Sequence, residues 1–181
     1  QEPCRFDQGR YARWLGKVLQ GDWGDSWTIA TGKSVINLIM GRLGYTVLLM
    51  GISLFVAIII AVPIGIYSAV HQYSIIDYLV TALAFFGQSM PTFWTGLMAM
   101  AIFSVALGWF PTSGVRTAGA QGDIIEALAR VFTFGRTHPE LAGKEWASIV
   151  DGLRHVALPA GVLVFFNLAT WSRYTRTSML E

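Results

Sequence analysis

The sequence has 181 residues, 54% of them hydrophobic and only 13% charged, with a net charge of +2 and a mean hydropathy of +0.51. Soluble domains carry about 25% charged residues, so the composition excludes an ordinary soluble fold. The few charges mix both signs, and there is no basic stripe of the kind nucleic-acid binding requires.

The chain opens on Gln1-Glu2-Pro3-Cys4-Arg5, polar residues with no apolar run behind them. No secretory signal is expected, and the start reads as the interior of a longer protein. Cys4 is the single cysteine, so it predicts neither an internal disulfide nor a metal site. Tyr11, Trp14, Leu15, Val18 and Leu19 recur at helical spacing, with Arg10, Arg13 and Lys17 on the other face. Gly21-Asp22-Trp23-Gly24-Asp25 then predicts a turn. A second short amphipathic helix is expected from Ser34, carrying Val35, Leu38, Ile39 and Leu43. Residues 1–43 thus read as a surface-lying amphipathic segment. Within it, Thr31-Gly32-Lys33-Ser34 imitates the end of a phosphate-binding loop. That loop needs a glycine five positions before Gly32, where Trp27 stands, so no nucleotide site is expected.

Asp, Glu, Lys and Arg are absent from Leu43 to Ile76, from Tyr78 to Val115 and from His155 to Ser172. A bilayer core takes roughly 20 apolar helical residues to cross, so each stretch reaches or approaches a span. The first span is expected over residues 45–70, followed by a polar hairpin at His71-Gln72-Tyr73-Ser74 and a new helix near Asp77. The second stretch, Tyr78 to Trp109, would extend about 48 Å as one straight helix, too long for one perpendicular crossing. Pro91 lacks an N–H and clashes with the preceding turn, which predicts a kink or break at its centre. One kinked span and two short spans both satisfy these residues.

Residues 110–152 carry charges of both signs and predict a structured extramembrane loop. Asp123 is placed to cap a helix bearing Ile124, Ile125, Leu128, Val131 and Phe132. A further helical turn with Trp146, Ile149 and Val150 leads to the last span, residues 153–173, which holds Pro159 near its start and ends at Arg173 and Arg176. The expected fold class is all-α, a polytopic transmembrane helical bundle with amphipathic extramembrane helices.

The polar cluster Gln88, Ser89, Met90, Pro91 and Thr92 lies near the middle of the second stretch. Hydroxyls there can satisfy carbonyls that proline releases, or the cluster can line a substrate pathway, since polar groups and interrupted helices mark transport routes. The two roles are compatible. Asn167 in the last span is read in the same way, as an interhelical hydrogen-bonding group or a pathway contact. With no Asp, Glu, Lys or Arg inside the spans and His71 and His155 at their edges, an intramembrane enzyme lacks a nucleophile–base pair. No catalytic residue, metal or cofactor is expected.

Several segments taken together resemble the dipeptide/oligopeptide/nickel class of ABC-importer permeases. They are Arg13-Trp14-Leu15, Gly21-Asp22-Trp23-Gly24-Asp25-Ser26, Arg42-Leu43 with Thr46, and Val62-Pro63-Ile64-Gly65. Ser89-Met90-Pro91-Thr92-Phe93-Trp94, Leu107-Gly108-Trp109-Phe110-Pro111 and Leu153-Arg154-His155 with Leu158-Pro159-Ala160 follow in the same order. The closing Thr175-Arg176-Thr177-Ser178-Met179-Leu180-Glu181 is similar to the family's lead-in to its cytoplasmic coupling loop. The resemblance implies an internal fragment of a multi-pass protein of the bacterial cytoplasmic membrane, working by alternating access. It implies as partners a second permease subunit, two cytoplasmic ATPase subunits and an extracytoplasmic substrate-binding protein. It places residues 1–43 and 110–152 outside and 71–77 and the C-terminal end in the cytoplasm, so that residues 77–109 cross once, kinked at Pro91. Counting positive charges alone favours the reverse orientation. Dipeptides, longer peptides, glutathione-like peptides and nickel chelates are all cargoes of such permeases. A membrane receptor or assembly subunit that transports nothing is the alternative.

Overall fold

The computed structural model describes residues 9–119, 122–134 and 142–181, without the side chains of 132–134 and 142–145. The expectations attached to residues 1–5, Cys4 included, lie outside the described residues, as does residue Phe132's place on its apolar stripe. The chain divides after Thr46 into two compact units. Among the described residues the fold is all helical, with one isolated antiparallel bridge between Asp25 and Ser34.

In the first unit, α1 (Arg10–Leu19) is amphipathic along its whole length, and none of its residues is buried. Gly21 and Gly24 adopt positive φ and turn the chain back, while Asp22 Oδ1 accepts the Gly24 amide at 3.0 Å. The segment that imitates a phosphate-binding loop is closed on itself. The amides of Gly32, Lys33 and Val35 donate to the carbonyls of Ser26, Ala30 and Gly24, so the N–H groups that would cradle phosphate are already used.

The helix α2 (Val35–Val70) runs unbroken for 36 residues, about 54 Å. The sequence led us to expect a separate amphipathic helix before a span beginning near Tyr45. Gly41 and Gly44 do not divide them, because an isolated glycine lowers helix propensity by only about 1 kcal/mol and keeps its N–H. The part of α2 in the second unit buries a seam of small residues, Ser53, Ala57, Ala61, Gly65, Ser68 and Ala69. Its large apolar side chains point away, with Phe55 67% and Ile59 55% exposed. This inversion of the soluble pattern is what lipid permits. Acyl chains are as apolar as leucine, so helices associate through small residues that let backbones approach.

Ser74 caps α3 (Ile75–Ser89) by accepting the Asp77 amide at 3.2 Å. The Asp77 carboxylate reaches back past the cap and accepts the Tyr73 amide at 3.1 Å. Beyond Met90 and Pro91, α4 (Thr92–Ala99) continues into a π-helix (Met100–Ala106). Asp123 precedes α5 (Ile124–Phe134) and accepts the Ile125 amide through its side chain and the Ala127 amide through its carbonyl. The helix α6 (Ala142–Leu180) spans 39 residues with Pro159 inside it. The turn expected before Leu153 is therefore part of the same helix. Proline inside a membrane-type helix is tolerated where neighbours serve the freed carbonyl.

In the second unit α6 is the central element, contacted by α3, α4 and α5. Gly87 of α3 lets that helix approach closely: a Cβ there would lie 3.2 Å from both Ala169 Cβ and Phe165 Cε1. Gly152 of α6 does the same for α5, since its Cβ would meet Ile124 Cβ at 2.5 Å. Among the described residues two helices, Val35–Val70 and Trp146–Leu180, are long and apolar enough to cross a membrane, and the α3–α4–π pair makes a third if it is one span.

Candidate functional site

The break at Pro91 follows from its residues. Proline excludes the helical conformation from the residue before it, and Met90 is extended at φ −88°, ψ 134°. The axes on either side differ by 102°, a sharper change than a kink within one helix. Ser89 Oγ donates to the Phe85 carbonyl at 2.8 Å. The Pro91 carbonyl accepts from the amide of Thr95 at 3.1 Å and from its Oγ1 at 3.3 Å. Hydroxyls thus bond carbonyls on both sides of the break, that of Ser89 before it and that of Thr95 after it, whereas Thr92 makes no side-chain hydrogen bond with the described residues. Gln88 makes none there either, and Gln88, Ser89, Pro91 and Thr92 are all exposed.

Immediately beyond the break lies a cavity of about 640 Å³. Its walls come from α4 (Thr92, Gly96), the segment after the π-helix (Pro111 to Gly114) and one face of α6 (His155, Pro159, Val162). Most of the wall is apolar, and Thr92, Thr112, Ser113 and His155 supply polar groups. The 111–117 segment is held in place from two directions. Ser104 Oγ donates to the Pro111 carbonyl at 3.3 Å, and Thr117 donates its amide, at 2.8 Å, and its hydroxyl to the Asp151 carboxylate. His155 is nearly buried, and its Nδ1 lies 2.8 Å from the Asp151 carbonyl oxygen. A carbonyl oxygen only accepts, so Nδ1 is the donor in that contact.

Of the residues predicted from sequence, Thr92 lines the cavity, whereas Gln88, Ser89, Met90 and Pro91 form the break at its edge. Asn167 does not line it. It lies four residues beyond Leu163, a cavity residue, and so continues the same face of α6. Gly87, about one turn before the break, packs against Phe165 and Ala169, the residues on either side of Asn167 in sequence. Asn167 is half-buried and makes no side-chain hydrogen bond with the described residues. Sequence reasoning missed His155, Thr112 and Ser113. The spacing Asp151, His155, Pro159 puts His155 on the cavity face of α6, whereas nothing local marks Thr112 and Ser113.

Residues 61–181 match the family model described as binding-protein-dependent transport system inner membrane component. The chain belongs to this family. Family membership, together with helices this long and apolar, makes it an inner-membrane protein. Among its relatives is the oligopeptide transport system permease protein AppB of Bacillus subtilis, 40% identical over 95% of this chain and 46% of the relative. The dipeptide transport system permease protein DppB of Alkalihalophilus pseudofirmus is 35% identical, over 95% of this chain and 49% of its own. The oligopeptide transport system permease protein OppB of Mycobacterium tuberculosis is 30% identical, over 95% and 47%. The chain spans about half the length of these relatives.

Proposed function

We propose that this chain forms part of the translocation pathway of a peptide-importing ABC transporter, with the Pro91 break and the adjoining cavity as the place where cargo passes. The observation that carries the reading is the break itself: backbone opened among exposed Gln88, Ser89 and Thr92, beside a cavity walled by α4, the 111–114 segment and α6. Polar groups at mid-membrane cost several kcal/mol against lipid, so they belong against protein or water. The cavity volume lies in the range of small-ligand sites. Its largely apolar wall with scattered hydroxyls suits short peptides of varied side chain. The peptide-transport names of the relatives support the cargo class.

In this reading residues 1–43 and 110–152 lie outside, 71–77 and the C-terminal end lie in the cytoplasm, and residues 44–181 are the permease domain. The working transporter adds a second permease subunit, two ATPase subunits and a substrate-binding protein. ATP hydrolysis belongs to the separate subunits, a view supported by the self-closed 24–35 loop.

The test is peptide uptake per assembled complex in the full transporter. Gln88→Leu, Thr92→Val and His155→Leu should leave assembly normal while lowering uptake or altering peptide preference by about tenfold, the effect of losing one well-placed polar contact. Reduced yield with unchanged uptake per complex would make these residues internal struts and remove the pathway from this site.

A further inference from the structure

The Asp77 carboxylate lies far along the chain from the cavity residues of α6 and outside the cavity, yet it gathers three segments at one point. It accepts from Ser68 Oγ of α2 and from the Tyr73 amide in the turn, and from Arg176 Nη2 of α6 at 2.9 Å. Arg176 Nε also lies 2.9 Å from Oδ1, close enough for ionic attraction but off the hydrogen-bonding angle. The Asp77 side chain is only 4% exposed. The turn it grips is itself constrained, for Tyr73 is a non-glycine residue at φ 60°. Nearby, α2 and α6 are in backbone contact, since a Cβ on Gly65 would lie 2.6 Å from Thr175 Cβ and 2.7 Å from the Ser172 carbonyl oxygen.

A buried ion pair adds little stability over apolar packing of the same volume, but it enforces one geometry. Here the geometry has a direction. The helix α3 runs antiparallel to α6, pinned by Asp77 at its first turn and seated through Gly87 on Ala169 and Phe165 at its last. Two residues further on, α3 ends at the break. We infer that the Asp77–Arg176 pair fastens the α2–α3 turn to the C-terminal end of α6, so that the two move as one body and a displacement of that end resets the angle at Pro91. Asp77 and Arg176 are positioning residues, acting through α3. The consequence for transport rests on the reading of the break as the pathway, whereas the fastening does not.

The experiment uses the full transporter in lipid nanodiscs with two pairs of spin labels. One pair, on cysteines replacing Ile75 and Tyr174, reads the fastening; both positions are exposed. The other pair, replacing Leu83 and Met98, reads the angle across the break. The unaltered protein should keep a single narrow Ile75–Tyr174 distance with and without ATP, while the Leu83–Met98 distance changes. In Asp77→Asn or Arg176→Gln the first distribution should broaden, the second should cease to respond to ATP, and uptake per assembled complex should fall about tenfold, a common size for coupling between sites. Should these variants fail to assemble, Arg176→Lys, which loses the Nη2 bond, and Ser68→Ala, which loses the hydroxyl bond, keep the opposite charges and should broaden the first distribution and blunt the ATP response to a smaller degree. A narrow first distance in every assembled variant, or a break that still follows ATP, overturns the inference. Absence of peptide uptake by the unaltered transporter would instead overturn the pathway reading and leave the label distances as the test of the fastening.

Discussion

At Gly65 and Gly51 the same residue type sits in the same helix under opposite constraints. Gly65 faces α6 with no room for a side chain: an added Cβ would be 2.6 Å from Thr175 Cβ and 2.7 Å from a backbone carbonyl. The carbonyl cannot swing aside, so α2 and α6 would have to separate. Gly51 has no atom within 4 Å of where its Cβ would be. Overpacking a tight contact costs about 1–3 kcal/mol. Gly65→Leu should therefore lower the thermal midpoint of the detergent-solubilised protein and the yield of assembled complex, while Gly51→Ala should lower neither. A Gly65→Leu protein as stable as its parent would show that α2 and α6 are not in contact there. Nothing local marks this difference, because both glycines lie in the same charge-free apolar run.

Among the elements, the broken α3–α4 pair shows how one residue overrides a long apolar pattern. The residues from Tyr78 to Trp109 form one charge-free apolar run, and Pro91 disfavours the helical region at Met90, which is extended. Replacing it by alanine restores an N–H for the Gly87 carbonyl and removes a penalty of about 3 kcal/mol for proline in a helix interior. Pro91→Ala should let α3 and α4 approach collinearity, lengthening the Leu83–Met98 label distance and reducing uptake by about tenfold if the open backbone is part of the pathway. An unchanged distance would mean that packing on α6, rather than proline, holds the 102° bend. The π-helix that follows has the same character: the Leu107 amide bonds to Ile102, five residues back. Nothing in the composition of Met100–Ala106 announces it.

For the whole molecule, the sharp bend leaves two paths for residues 75–106, a broken crossing or a re-entrant hairpin. We expect a crossing, on the parity that the family resemblance implies. Single cysteines replacing Gln72, in the α2–α3 turn, and Val115, after the π-helix, are both exposed. In intact inverted and right-side-out vesicles they should react with a membrane-impermeant maleimide from opposite sides. Reaction of both from the same side would establish the hairpin and reverse the placement of every later segment.

Membrane residence, helical class, the breaks at Gly21–Asp25 and Pro91 and the capping role of Asp123 were legible in the residues because each depends on local chemistry. Charge-free length decides the solvent, proline decides its own φ and the conformation before it, and an aspartate before an apolar stripe decides a cap. Helix continuity was less legible: the short helix from Ser34 read as separate from the span at 45–70, and the turn with Trp146, Ile149 and Val150 as separate from the last span, but neighbouring helical residues carry isolated weak formers along. The cavity wall, the close approach at Gly65 and the Asp77–Arg176 pair were decided only by tertiary structure. They join residues as far apart as position 77 and position 176, and in an apolar medium that pairing is set by which small residues let two backbones touch. That is a property of two helices together, and neither sequence stretch states it alone.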